Sequence, residues 1–80
     1  MFKDKLRTYI LENFLFTDDQ NELSDEDSFM GKEIIDSTGI LEVIEFIEEE
    51  CEVRIEDDDM TPENLDSINK IISFVERKIK

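Results

Sequence analysis

The stretch STGILEVIEFIEEEC, residues 37 to 51, carries the strongest periodic pattern in the chain and decides the fold class. Its apolar residues recur at spacings of three and four, which places them on one side of a helix. They are Ile40, Val43, Ile44, Ile47 and Cys51, with Leu41 beside them. The opposite side consists of Glu42, Glu45, Glu48, Glu49 and Glu52. The pattern predicts an amphipathic helix whose outer face is acidic.

Asp36 and Ser37 stand at the start of this helix, where the first amides have no acceptor within the helix. Asp36 is a good N-cap, and its carboxylate suits the positive end of the helix dipole. The same position aims Ser37 outward and favours a phosphate attached to it. Ser37 is not a nucleophile by itself, because the chain has no His and the motif has neither a Lys nor a glycine elbow. If Ser37 takes part in chemistry, it does so as a modified residue.

Two further helical patterns lie on either side. Residues 2–16 carry an amphipathic stripe at helical spacing: Phe2, Leu6, Tyr9, Ile10, Asn13 and Phe14. Near the other end, Thr61 as N-cap and Pro62 at the first helical position predict a short helix with Leu65 turned inward. Asp66 is then predicted to cap a last helix. Its stripe is Ile68, Ile71, Ile72, Val75 and Ile79.

The connections are irregular. Residues 17–36 follow neither period, but contain apolar residues expected to fix the loop to the core, with Gly31 in a turn. These residues are Leu23, Phe29, Met30, Ile34 and Ile35. Residues 52–60 form a linker with Val53 and Ile55 turned inward, and EVRI has no second strand to pair with. The sequence thus predicts a single domain, 1–80, with an all-α four-helix bundle of three long helices, one short helix and a long first loop.

Composition limits the function. The formal net charge of -14 disfavours binding to nucleic acid and to anionic membranes, and favours basic protein surfaces. A single Cys excludes an internal disulfide and favours a reducing, cytoplasmic location, with Cys51 as a small core residue. No apolar run reaches transmembrane length, and the charged N-terminal stretch is not a signal peptide. The acidic stretches lack the EF-hand spacing, so no dedicated metal site is expected.

Taken together, DSTGILEVIEFIEEE, the acidic face, the linker and TPENLDSINKIISFV resemble an acyl carrier protein. The similarity runs without a gap from about Asp36 to Val75, and the first helix and long loop agree in length and place. The family signature is Asp-Ser at a helix start after a long loop, followed by an apolar helix with a Glu-rich exposed face. That combination is more specific than the Asp-Ser pair alone.

The resemblance implies a function. The motif serine, here Ser37, would carry 4′-phosphopantetheine through a phosphodiester, with Asp36 as motif residue and cap. The terminal thiol of that arm, which derives from coenzyme A, would hold acyl groups as thioesters. The protein would be a monomeric carrier rather than an enzyme, serving fatty-acid-like or specialised biosynthesis. Its partners would be a phosphopantetheinyl transferase, an acyl- or aminoacyl-activating enzyme, and synthases or transferases with basic docking patches.

The same resemblance implies a partner-binding surface on the second helix. The acidic residues that match the family are Asp36, Glu42, Glu48 and Glu49. We include three more positions in the predicted surface: Thr38, Leu41 and Glu45. Residues 36–66 hold 13 acidic residues and one basic residue, which is more asymmetry than solubility requires.

Several positions depart from the commonest family pattern. Thr38 stands where carriers of fatty acid synthesis usually have Leu, and Gly39 is a poor helix former in the first turn. Glu45 occupies an outward position that is often apolar, and Cys51 stands where Phe is common. Asp-Ser-x-Gly resembles carriers of D-alanine or other amino acids and stand-alone carriers of specialised pathways. Two alternatives therefore stay open: an aminoacyl carrier, and an acidic interaction module without a prosthetic group.

Overall fold

A computed structural model describes residues 2–79, and within that range the chain forms four α-helices and no strand. The helices are α1, Phe2–Ile10; α2, Gly39–Cys51; α3, Pro62–Leu65; and α4, Ile68–Ile79. Short 3₁₀ turns occupy Gln20–Glu22 and Asp57–Asp59. The predicted all-α bundle of three longer helices and one short helix, with a long first connection, is confirmed. None of these helices has the length and apolar character needed to cross a bilayer.

The core of the described chain contains side chains from all four helices and from both connections. The buried apolar residues are Leu6, Ile10, Leu11, Leu23, Phe29, Ile35, Val43, Ile44, Ile47, Ile55, Leu65, Ile68, Ile71, Phe74 and Val75. The long loop thus contributes Leu23, Phe29 and Ile35 to the core, as the sequence predicts. Burial of these three residues explains how a connection of this length stays ordered in a small domain.

Aromatic side chains join α1 to α2, which run in opposite directions. The rings of Tyr9 and Phe46 stack with centroids 4.3 Å apart, and Phe2 and Phe46 stack at 6.2 Å. The Tyr9 hydroxyl donates to the Glu42 carbonyl at 3.3 Å. Offset stacks of this kind add to the stabilisation that comes from buried area alone. They fix the position of the first helix against the acidic one.

The end of the first helix differs from the prediction of one helix over 2–16. After Ile10 the chain widens into a π-helical turn, Leu11–Leu15. The Asn13 side-chain amide donates to the Tyr9 carbonyl at 2.9 Å, and a side chain inserted into the ladder of backbone hydrogen bonds is one cause of such distortions. Phe16 then ends the helix in the left-handed region, with φ 55° and ψ 42°. That conformation costs a non-glycine residue about 1–2 kcal/mol.

Arg7 holds the first half of the long loop. Its guanidinium donates to the Gln20 and Leu23 carbonyls at 2.8 and 2.7 Å, and to the Asp25 carboxylate at 2.6 Å. Lys3 pairs with the same carboxylate at 2.7 Å. The hydrogen bonds from Lys3 and Arg7 hold the pKa of Asp25 below its usual value. The planar fork of Arg7 thus satisfies backbone oxygens that have no partner in a helix or sheet.

Asp66 holds the second half of the loop, and this corrects its predicted role as the cap of the last helix. Its carboxylate accepts hydrogen bonds from the Ser28 hydroxyl at 2.5 Å and from the Met30 amide at 3.0 Å. Its carbonyl accepts from the Phe29 amide at 2.8 Å. The N-cap of α4 is Ser67 instead, whose hydroxyl accepts from the Lys70 amide at 3.1 Å. A small hydroxyl suits this position because Ser67 is buried.

Three other expectations fail. The sequence predicts that Met30 fixes the loop, but this residue is 53% exposed. Ile79, assigned to the apolar stripe of the last helix, is 62% exposed at the helix end. Asn13 lies on the stripe predicted for residues 2–16 but is exposed, whereas Leu11, off that stripe, is buried. Both residues lie in the π-helical turn after α1, where the wider helix moves residues away from the 3.6 period.

Candidate functional site

The start of α2 presents Ser37 at the surface. The Asp36 carboxylate accepts a hydrogen bond from the Gly39 amide at 2.7 Å, and the Asp36 carbonyl accepts from the Ile40 amide at 3.0 Å. Asp36 thus has the geometry of an N-cap, and one turn precedes the regular helix. Within residues 2–79, no acceptor takes the amide hydrogens of Ser37 or Thr38. Ser37 and Thr38 are exposed residues with unbonded amides at the positive helix end.

Ser37 also borders an apolar groove, which we call the Ser37 groove. It is open to solvent and has a volume of about 180 Å³. Its walls come from the long loop, α2 and the segment around α3. They consist of Phe29, Met30, Ser37, Ile40, Ile44, Met60, Thr61, Pro62, Leu65 and Asp66. The only carboxylate in this set, Asp66, already accepts two hydrogen bonds from the loop.

Position 39 requires glycine because a larger side chain would not fit there. Backbone conformation is not the reason, since no described glycine has positive φ. A Cβ at this position would lie 2.7 Å from Cε1 of Phe14 and 3.2 Å from Cγ2 of Ile35. The ring of Phe14 therefore packs directly on the first turn of α2. Gly39 has a low helix propensity, but its lack of a side chain lets Phe14 of the π-helical turn pack next to Ser37.

We predict that Gly39→Ala lowers the free energy of unfolding by about 1 kcal/mol, because the clash exceeds the gain in helix propensity. In a Phe14→Ala background the clash disappears, and the same change should stabilise the protein by up to about 1 kcal/mol. Urea unfolding of the four proteins gives the coupling energy between the two positions. Equal effects of Gly39→Ala in both backgrounds would show that the Phe14 ring does not set this position.

The outer face of α2 contains the predicted partner-binding residues. Leu41 is 54% exposed, and Glu42, Glu45 and Glu49 are exposed without a cation within 4 Å in the described chain. Glu48 differs, because it is half-buried and accepts a hydrogen bond from the Ile55 amide at 2.9 Å. Glu48 thus holds the linker after α2, whatever else it does.

The charges of the acidic face act on Tyr9 of α1. Burial raises the pKa of Tyr9, and the neighbouring charges of Glu42, Glu45 and Glu49 raise it further. The negative potential therefore extends from α2 across the seam between the two helices. Nearby, burial also raises the pKa of the half-buried Cys51 thiol, which favours its neutral form.

The structure places the predicted site residues on α2 and on the three residues before it, and it adds other residues that the sequence analysis did not assign to the site. Asp36, Ser37 and Thr38 lie at the start of α2, and the acidic positions follow along its exposed face. The groove walls were not predicted, because they come from three segments distant in sequence. In residues 2–79, no group of three His, Cys, Asp or Glu side chains is arranged to hold a metal ion.

The comparisons with known proteins do not assign a family to this chain. Comparison with known proteins finds no family model that matches this sequence and no curated protein with significant similarity to it. A role for Ser37 therefore has to be supported by the residues around it.

Proposed function

We propose that the protein is a carrier that holds acyl groups as thioesters on a 4′-phosphopantetheine arm attached to Ser37. The observation that carries the proposal is the position of Ser37: an exposed hydroxyl at the positive end of a capped helix, on the border of an apolar groove. Either feature alone is common on proteins. Their coincidence in an acidic four-helix chain with the Asp-Ser motif supports a carrier of the acyl carrier protein type.

The residues around Ser37 fit such a group. A phosphodiester on the Ser37 oxygen would stand next to two free amides and the positive end of α2, which stabilise negative charge. Asp36 keeps this end of the helix formed through its bond to the Gly39 amide. Once bound, the arm supplies a thiol that forms thioesters. The reactions on the thioester would belong to partner enzymes, because the sequence contains no His and burial raises the pKa of the one thiol, Cys51.

The groove favours an acyl cargo over an aminoacyl one. Its lining is almost entirely apolar, and its one carboxylate is bonded to Ser28 and Met30. An ammonium group that entered the Ser37 groove would find no free anion to pair with. The free-energy cost of removing that charge from water would therefore not be offset. An aliphatic chain gains free energy there in proportion to the apolar area that it buries.

The acidic face of α2 supports docking on partner enzymes with basic patches. Glu42, Glu45 and Glu49 have no cation partner within the described chain, so their charges are available to an approaching surface. Attraction of this kind raises the association rate and weakens as salt is added. The role of Leu41 and Thr38 would be to provide uncharged contacts next to Ser37.

The test of the proposal is uptake of the arm. The purified chain is incubated with coenzyme A and the phosphopantetheinyl transferase of the same organism, and its intact mass is measured. We expect a gain of one phosphopantetheine, which peptide mapping places on Ser37. Absence of any gain in a sample that circular dichroism shows to be folded would exclude the carrier function and leave an acidic interaction module as the better interpretation.

A further inference from the structure

Asp66 connects two walls of the Ser37 groove, and its amide, carbonyl and carboxylate all take part. Its amide donates to the Pro62 carbonyl at 3.0 Å and closes α3, which belongs to one wall. Its carbonyl accepts from the Phe29 amide at 2.8 Å, and its carboxylate accepts from the Met30 amide at 3.0 Å. Phe29 and Met30 form the loop wall. The spacing between the loop wall and the α3 wall is therefore set at a single residue.

Ser28 completes this connection with the shortest of the hydrogen bonds. Its hydroxyl donates to the Asp66 carboxylate at 2.5 Å and accepts from the Gly31 amide at 2.9 Å. Hydrogen bonds to an ionised carboxylate are stronger than those between neutral groups. A Cβ at position 31 would lie 2.9 Å from the Ser28 hydroxyl oxygen, so any larger residue there would displace the hydroxyl. Since Gly31 does not have positive φ, this close approach is the reason for a glycine.

The same hydrogen bonds continue to the third wall of the groove, at the start of α2. The Phe29 carbonyl accepts from the Ile34 and Ile35 amides at 2.8 and 3.2 Å. These two residues directly precede Asp36 and Ser37. The bonds thus run from α3 through Asp66 and Phe29 to the residues before α2, and they fix the three walls relative to one another.

An empty apolar groove needs such a frame. Its walls would bury apolar area if they closed on each other, so the hydrophobic effect favours collapse. Hydrogen bonds of fixed length and direction oppose that movement, and a groove held in its binding shape gains affinity because less order is lost on binding. We propose that Ser28 and Asp66 are a positioning pair that keeps the Ser37 groove open for an aliphatic chain before any cargo is attached. That this chain is a thioester cargo rests on the proposed function.

The experiment titrates the unmodified protein with 1-octanol, an uncharged eight-carbon chain, and follows the methyl signals of Ile44 and Leu65 by NMR. Both residues line the groove and are buried, so their shifts report on its occupation. For Ser28→Ala we expect the dissociation constant to rise about tenfold, because loss of a hydrogen bond to a charged group depopulates the open groove. Ser24→Ala is the matched control. Ser24 lies in the same loop, and its hydroxyl accepts from the Glu26 amide at 3.3 Å, so this variant should keep the wild-type dissociation constant.

Gly31→Ala tests the same bond without removing any of its atoms, and it serves also if Ser28→Ala does not fold. The added methyl group should turn the Ser28 hydroxyl away from Asp66 and raise the dissociation constant at least about threefold. If both variants bind octanol as wild type does, even with lower stability in urea, Ser28 serves the fold alone and the positioning pair is wrong. The pair is also wrong if octanol leaves the Ile44 and Leu65 signals of wild type unchanged.

These outcomes are independent of arm uptake, which is measured separately. If Ser37 takes up no arm while Ser28→Ala weakens octanol binding, the carrier function fails and the pair stands as the frame of a groove for apolar ligands. If Ser37 is loaded while octanol binding is the same in all variants, the carrier function stands and the positioning pair fails.

Discussion

A Ser37→Ala variant is expected to take up no phosphopantetheine and to unfold at the same urea concentration as unmodified wild type. The loss should be complete, because the arm needs the Ser37 oxygen to form its phosphodiester. The fold should be unaffected, since the Ser37 hydroxyl makes no hydrogen bond in the described chain and Asp36 provides the cap. Intact mass after incubation with transferase and coenzyme A measures uptake, and circular dichroism during urea unfolding measures stability.

Ser73 provides the matched control for this prediction. It is exposed on α4, and Ser73→Ala should be loaded to the same extent as wild type. Loading of Ser37→Ala would show that the arm is attached elsewhere and would remove the basis of the proposed site. A variant that loses loading and also a large part of its stability would show that Ser37 is required by the fold, contrary to the geometry.

Replacement of Phe29 by Ala is expected to cause the largest loss of stability of any change proposed. Phe29 is fully buried, and truncation of such a residue costs about 3–5 kcal/mol. A domain of this size has a stability of roughly 4–12 kcal/mol, so the variant should lose a large fraction of its stability and unfold at a clearly lower urea concentration than wild type. The residue also joins the loop to the rest of the bundle, because its amide donates to the Asp66 carbonyl and its carbonyl accepts from Ile34 and Ile35.

Met30→Ala is the control for Phe29→Ala. The two residues are neighbours in the same loop and both line the Ser37 groove, but Met30 is more than half exposed. Its truncation should change the free energy of unfolding by less than about 1 kcal/mol. Urea unfolding gives both values. Similar effects for the two variants would mean that Phe29 does not fix the loop in solution as it does in the structure.

Helix positions were predictable from the sequence, because apolar spacing reports directly on which side of a helix is buried. Val43, Ile44 and Ile47 on α2 and Ile68, Ile71 and Val75 on α4 follow from that spacing alone. Thr61 and Pro62 likewise mark the start of α3, since few residues suit those positions.

Features that depend on contacts between distant segments were not predictable. Asp66 has the sequence context of a cap, but the loop uses its carboxylate, and Ser67 takes the cap. Gly39 is a poor helix former by sequence, and only the packing of Phe14 gives the reason for it. The Ser37 groove exists because Phe29, Ile44 and Leu65 meet in space, and no periodicity relates these three positions.

The entrance of the Ser37 groove contains two methionines, Met30 and Met60, both of them partly exposed. A methionine side chain is unbranched and has several rotatable bonds, so it changes shape at little energetic cost. The entrance can therefore adjust to straight, branched or differently sized apolar groups while the helices stay in place. A carrier with such an entrance would accept apolar cargoes of different shape and size. Selection of the cargo would then rest with the enzymes that load and unload it.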